Sequence, residues 1–197
     1  VPGAHDAIHG LEHIDKIMTE FSQGREAKGG SVRFETLDDK IQYDHVTFSY
    51  SSEEASALHD VTVNIPAHRM TALVGPSGSG KSTFIDMLPR LRDPTSGEIR
   101  FDDTPLQSFS KVSLRDGIAV VTQQPQIFNF TVSEHIRYGN DNVTDKQVRE
   151  AAHLVGALSF IEKLPNGFDT HLGEGGIRLS GGQRQRLDIA RAIVRGA

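Results

Sequence analysis

Nine residues, Gly75 to Thr83, read GPSGSGKST. Glycine loses the most conformational freedom on folding, so a run this rich in it is costly to order. One use that offsets the cost is to wrap backbone N–H groups around an anion. The spacing G-x-x-x-x-G-K-[ST], met here by Gly75, Gly80, Lys81 and Ser82, does this for nucleotide phosphates, with the lysine and hydroxyl completing the shell. The plainer alternative is an ordinary strand-to-helix turn. The flanks favour the anion. The apolar MTALV run (70–74) reads as a strand buried on both sides, and KSTFIDML (81–88) as a helix start. Phosphates would then sit at a helix N-terminus.

A second cluster, LSGGQRQR, runs from Leu179 to Arg186. Ser180 offers a hydroxyl, the start of its helix offers free N–H groups, and Gly181 and Gly182 let backbone come close. This is again an anion site. Two half-sites for one anion in one chain suggest a symmetric pair of molecules. A glycine-rich helix start without a ligand is the competing reading.

The elements that must hold these clusters follow from periodicity. VTFSY (46–50) and VTVNI (61–65) alternate apolar and polar residues, as half-buried antiparallel strands do. EIRF (98–101) and GIAVVT (117–122) are further strands, and DPTSG (93–97) is a turn. The helix after Lys81 should stop near Pro89, because proline removes a donor and disfavours helix at the preceding residue. From about residue 130 the pattern turns helical. Thr131-x-x-Glu134 and Thr144-x-x-Gln147 are capping boxes, and Val148, Ala151, Ala152, Val155 and Leu158 continue an apolar face. The last helix begins near Ser180, buries Leu187, Ala190, Ile193 and Val194, and stops at Gly196. Residues 4–21 have helical apolar spacing, which suits either a helix docked on its own domain or a connector from a preceding one. SQGREAKGGS (22–31) reads as a linker.

Composition narrows the classes. The chain has 197 residues, 37% of them hydrophobic and 24% charged, and a net charge of -5. That balance argues against a broad nucleic-acid surface but leaves room for a local phosphate pocket. There is no cysteine, so disulfides and thiolate metal sites are excluded. No apolar run approaches the roughly 18 residues a membrane span needs. The chain begins at Val1 and ends just as a helix stops, so it reads as a piece of something longer.

A phosphate loop alone is shared by kinases, GTPases, helicases and transport ATPases. Together with LSGGQ, it strongly resembles the nucleotide-binding domain of ATP-binding cassette (ABC) transporters, from about residue 40 to 197. The match is to exporters whose ATPase is fused behind a membrane domain. The resemblance implies an α/β fold: a P-loop NTPase core with a mostly parallel sheet, an antiparallel β subdomain and a helical insert at about 124–178. Residues 1–36 would be a connector helix and linker, and 37–197 the ATPase domain, incomplete at its C-terminus.

The resemblance also assigns roles. Within the run Gly75, Pro76, Ser77, Gly78, Ser79, Gly80, Lys81, Ser82 and Thr83, the amides of residues 78–81 would hold the β-phosphate of ATP. Lys81 would bridge β and γ, Ser82 would bind Mg²⁺, and Thr83 would lie near the α-phosphate. Tyr50 matches the aromatic that stacks on adenine, a contact worth about 1–3 kcal/mol in comparable systems. A plain core tyrosine is its alternative. Gln123, chosen over Gln124 by the VxQxPxxF spacing, would reach Mg²⁺ and the attacking water. Ser180, Gly181, Gly182 and Gln183 would close over the γ-phosphate of a partner ATPase domain, identical or not, paired head to tail. Glu174 would face cytoplasmic loops of the chain's own membrane domain, or simply lie in solvent. No nucleic acid is expected, and the site of action would be the cytoplasmic face of the membrane.

The same resemblance implies an apolar strand ending in Asp-Glu, then a histidine. The chain stops about where that strand should begin, so this piece alone should bind ATP weakly and hydrolyse almost none. Two rivals are the ATPase head of a soluble DNA-repair or chromosome-maintenance protein and a regulatory module that binds ATP without hydrolysis. The compact spacing between Lys81 and Ser180 leaves no room for the long coiled coil of the first. The intact signature argues against the second.

Overall fold

A computed structural model describes residues 29–51, 55–140, 142–176 and 179–197. The expected helix at 4–21 and most of the linker lie outside them. The described residues fall into two compact units, one of residues 29–31 and 41–108, the other of residues 32–40 and 109–197.

The first unit is built on a four-stranded sheet of order β2-β1-β3-β4. Its strands are β1 (Lys40–Phe48), β2 (Leu58–Pro66), β3 (Ser96–Phe101) and β4 (Thr104–Pro105). β3 pairs antiparallel with β1 and β4, with Tyr43 opposite Ile99. The alternation that predicts this strand places Val46 and Phe48 in the core, and Tyr43 joins them across an irregularity between Asp44 and Thr47. The strand stops at Phe48, so Tyr50 lies beyond it and is 53% exposed. β2 is less buried than its alternation suggests, with Val63 exposed.

Helix α1 (Lys81–Asp86) follows the glycine-rich loop and ends ahead of Pro89, as expected. Tyr43 fixes it to the sheet. Its ring stacks on Phe84 at 4.0 Å and its hydroxyl donates to the Phe84 carbonyl at 2.8 Å. Burial without a charged partner pushes the Tyr43 phenol far above its usual range, so it stays a donor.

Two strand expectations need correction. Met70–Val74 is not a buried strand: it joins no ladder among the described residues, and Met70 and Val74 are almost fully exposed. Gly117–Thr122 likewise carries no ladder, and Val120 and Val121 are exposed. A strand is defined by its neighbour, and apolar composition supplies only half of that requirement. Residues 71–74, with Val63 and Ile65 of β2 and Ile85 of α1, instead line an open apolar groove of about 800 Å³.

The second unit is helical: α2 (Lys111–Asp116), α3 (Val132–Arg137), α4 (Asp145–Leu154), α5 (Leu158–Ile161) and α6 (Gly181–Val194). The two predicted capping boxes are present. Thr131 and Glu134 close α3, and Thr144 and Gln147 close α4, each with reciprocal side-chain and backbone bonds. Such caps satisfy amides that the first turn leaves without partners. α6 packs against α3 and α4, with Leu187 and Ala190 buried beside Val132, Ile136 and Val148. Ile193 is 42% exposed, so the apolar face of α6 is narrower than its spacing suggests.

Two polar residues share that core. Asp188 of α6 is buried and pairs with Arg191 at 2.5 Å. Burial pushes its carboxyl up, with Arg191 and the Thr122 amide opposing. His135 of α3 is fully buried, and among the described residues both its ring nitrogens lack a hydrogen-bond partner. Burial, aided by the Arg191 charge, lowers its pKa from 6.5 to about 4. The unfolded chain takes up this proton near pH 6.5, whereas the folded one resists until about pH 4. Between those values the unfolded state binds more protons, so acid favours it. Stability present above pH 6.5 should fall by about 3 kcal/mol as pH drops to about 4. Urea titrations across this range should show the slope, and His135→Gln should flatten it. An unchanged slope in the variant would disprove the assignment.

Candidate functional site

In the first unit the residues of the phosphate-loop pattern form one exposed turn. Gly78 and Gly80 adopt φ of 79° and 82°, which side chains rarely adopt. They differ in surroundings. A Cβ on Gly78 would meet open space, whereas one on Gly80 would come 2.4 Å from the Ala57 carbonyl oxygen. Gly80 is thus glycine twice over, for its angle and for the backbone behind it. The Ser79 N–H turns inward to the Pro76 carbonyl at 3.3 Å, and the Phe84 N–H reaches the Gly80 carbonyl at 2.8 Å.

Lys81 folds back across the turn. Its ammonium donates to the carbonyls of Gly75 (2.9 Å) and Pro76 (2.6 Å) and to the Ser79 hydroxyl (3.2 Å). The positive charge is therefore held at the loop, where its strongest partners would be the oxygens of a polyanion. Ser82 is exposed on the first turn of α1. Thr83 is buried, and its hydroxyl shares a 2.8 Å hydrogen bond with that of Tyr50. Sequence reasoning named both residues but had no signal for this contact, which joins an exposed aromatic ring to the helix behind the loop. Arg92 lies over the same ring, its guanidinium carbon 4.6 Å from the centroid. The sequence offered no reason to single it out.

The second unit holds the other pattern residues. Ser180 is the N-cap of α6, and its hydroxyl accepts from the Gln183 N–H at 3.3 Å. The Gln183 side chain returns the bond, accepting from the Ser180 N–H at 2.9 Å. This third capping box ties Gln183 to the helix start. Gly181 and Gly182 are exposed, with open space around the place of a Cβ. Any ligand there would meet bare backbone, with the Ser180 hydroxyl proton still free to donate. Gln123 is exposed in a bend that the Thr122 hydroxyl closes onto the Gln124 carbonyl at 2.9 Å. Glu174 is exposed in a short 3₁₀ turn (Glu174–Gly176), and the Arg184 guanidinium donates to the carbonyl of neighbouring Gly175 at 3.2 Å.

The donor set bears on which cation could join such a site. Among the described residues no three His, Cys, Asp or Glu side chains converge as a metal cluster. The exposed Ser82 hydroxyl at the loop is an oxygen donor of the kind that suits Mg²⁺, which keeps most of its shell as water and substrate phosphate.

A glycine-rich loop of positive φ, an inward lysine and a hydroxyl-bearing helix behind it define a P-loop nucleotide-binding domain of the α/β class. The comparisons make this specific. The ABC transporter family profile matches residues 58–197. The chain is 45% identical over 169 residues to an ATP-dependent lipid A-core flippase of Desulfotalea psychrophila, covering 86% of this chain and 29% of that protein. It is 45% identical over 168 residues to the heterocyst differentiation ATP-binding protein HepA of Nostoc sp., covering 85% of this chain and 28% of that protein. The structure of a bacterial Atm1-family ABC exporter with ATP bound superposes with a TM-score of 0.86 at 33% identity, covering 95% of this chain and 33% of that one. The chain belongs to the ABC transporter family. It spans about 30% of the length of these relatives.

The two glycines make a graded test of the loop. Gly78→Ala should cost about 1–2 kcal/mol of stability, the strain of a left-handed alanine alone. Gly80→Ala should cost clearly more, because its Cβ also collides with the Ala57 carbonyl. Urea denaturation midpoints rank the two, and equal losses would contradict the packing described.

Proposed function

We propose that this chain is the ATP-binding and hydrolysing engine of an ABC exporter. ATP-driven, head-to-tail pairing of two such domains would drive substrate transport across a membrane. The observation that carries this reading is the double occurrence, in one chain, of exposed glycine backbone opening a helix: at Gly78–Lys81 beside an anchored ammonium, and at Ser180–Gly182 beside a capped hydroxyl.

On this reading the amides of Gly78, Ser79, Gly80 and Lys81 hold the β-phosphate. Ser79 and Lys81 exchange their bonds within the loop for phosphate oxygens. The Lys81 ammonium spans β and γ, which neutralises charge in both ground and transition states. The Ser82 hydroxyl and the Gln123 amide oxygen would hold Mg²⁺, which offsets charge on the β- and γ-phosphates when bound. Gln123 also orients the attacking water. Tyr50 stacks on adenine. Ser180 and the Gly181 and Gly182 amides of one protomer donate to the γ-phosphate held by its partner, so ATP completes the interface. Gln183 acts indirectly, by locking the Ser180 cap. Glu174 and the segment from Gln123 to Thr131 face cytoplasmic loops of a membrane domain in the same protein and pass the motion on. Among the described residues no helix is long and apolar enough to cross a membrane. One relative is named a lipid A-core flippase and the similar solved structure an ABC exporter, which supports a place at the cytoplasmic face of a membrane.

Two substitutions in the full-length protein separate the two half-sites. Lys81→Ala should weaken ATP binding about ten- to hundredfold, read by calorimetry, because a charge-assisted contact is lost. Ser180→Arg should leave binding by the monomer intact and abolish ATP-dependent pairing, read by light scattering. If Ser180→Arg still paired on ATP, or Lys81→Ala bound ATP normally, the proposal would fail.

A further inference from the structure

The Tyr50 ring is held from several directions. Phe48 meets it edge-on, centroids 5.1 Å apart and planes at 80°. Its hydroxyl is tied to Thr83 of α1 at 2.8 Å. The Arg92 guanidinium covers one face at 4.6 Å and also lies 5.9 Å from the Phe48 ring. The nearest carboxylate in sequence, Asp93, is committed elsewhere, taking two hydrogen bonds from Arg90 at 2.9 and 3.1 Å. Among the described residues Arg92 meets both rings of the aromatic pair. With Arg92 over one face, Tyr50 is still 53% exposed.

We propose that Arg92 is a positioning residue for the nucleotide base: it holds the back of the Tyr50 ring while the purine stacks on the front, giving a cation–ring–base sandwich. The proposal rests on the reading of Tyr50 as the adenine platform. The physics is direct. A cation over an aromatic face is attracted to the ring's negative quadrupole and draws electron density toward itself. The opposite face becomes less negative, so a purine's own π cloud is repelled less. The hydroxyl bond to Thr83 fixes where the far end of the ring lies. Because Thr83 immediately follows the phosphate loop, the same three groups fix the distance between base platform and phosphate cradle.

The test is calorimetric titration of the full-length protein with ATP and with inorganic tripolyphosphate, which has phosphates and no base. The set is wild type, Arg92→Ala, Arg92→Lys, Tyr50→Ala and the double alanine variant. Arg92→Ala should weaken ATP about two- to fivefold, the scale of an exposed cation–π contact, and leave tripolyphosphate unchanged. Arg92→Lys should retain most of the affinity. In the Tyr50→Ala background, Arg92→Ala should cause no further loss of ATP affinity, since the arginine acts through the ring. Equal weakening of ATP and tripolyphosphate would make Arg92 a phosphate contact or a folding residue and overturn the proposal. Additive losses would overturn it too. If Tyr50→Ala weakens ATP while Arg92→Ala does not, the sandwich fails and the adenine platform stands. If Tyr50→Ala leaves ATP unchanged, both fall.

Discussion

The close approach of Gly80 to the Ala57 carbonyl sets the geometry from which the first unit follows. No side chain fits between them, so the loop backbone is pinned against the chain entering β2. The positive φ at Gly80 then aims the next residues into α1 with Lys81 folded inward. Tyr43 holds the far side of the same helix through its stacked ring and its bond to Phe84. Thr83 extends the arrangement to Tyr50. A six-residue helix has little stability of its own, and these contacts are what hold it in register.

The second unit solves a different problem with a simpler device. Each of its longer helices must begin at a defined residue, and three reciprocal capping boxes fix those starts. At α6 the box has a second effect. It engages the Gln183 amide and leaves Gly181 and Gly182 with open space in front of their backbone. Further along the same helix, buried Asp188 pairs with half-buried Arg191.

What was legible in the sequence was local. Capping boxes, the loop spacing and helical faces such as Leu187 and Ala190 are fixed by residues within a turn or two of each other. Their predicted and observed positions agree. Strand character at Met70–Val74 was not legible in the same way, since a ladder needs a partner that the run itself cannot specify. The ties from Tyr50 to Thr83 and Arg92 span some thirty to forty positions and follow no period. Nothing in the local pattern marks His135 and Asp188 as buried, yet both face the helix packing. Only the neighbours on α3 and α6 reveal that they are buried.

The inward posture of Lys81 has a consequence for selectivity. Its ammonium is already shared among three protein oxygens, so the loop is not an open cationic trap. A lone phosphate or sulfate must displace that internal arrangement with few oxygens to offer in return. A chain of phosphates supplies replacements at several points together. The protein's own carbonyls are thus competing partners that any anion reaching Lys81 would have to replace.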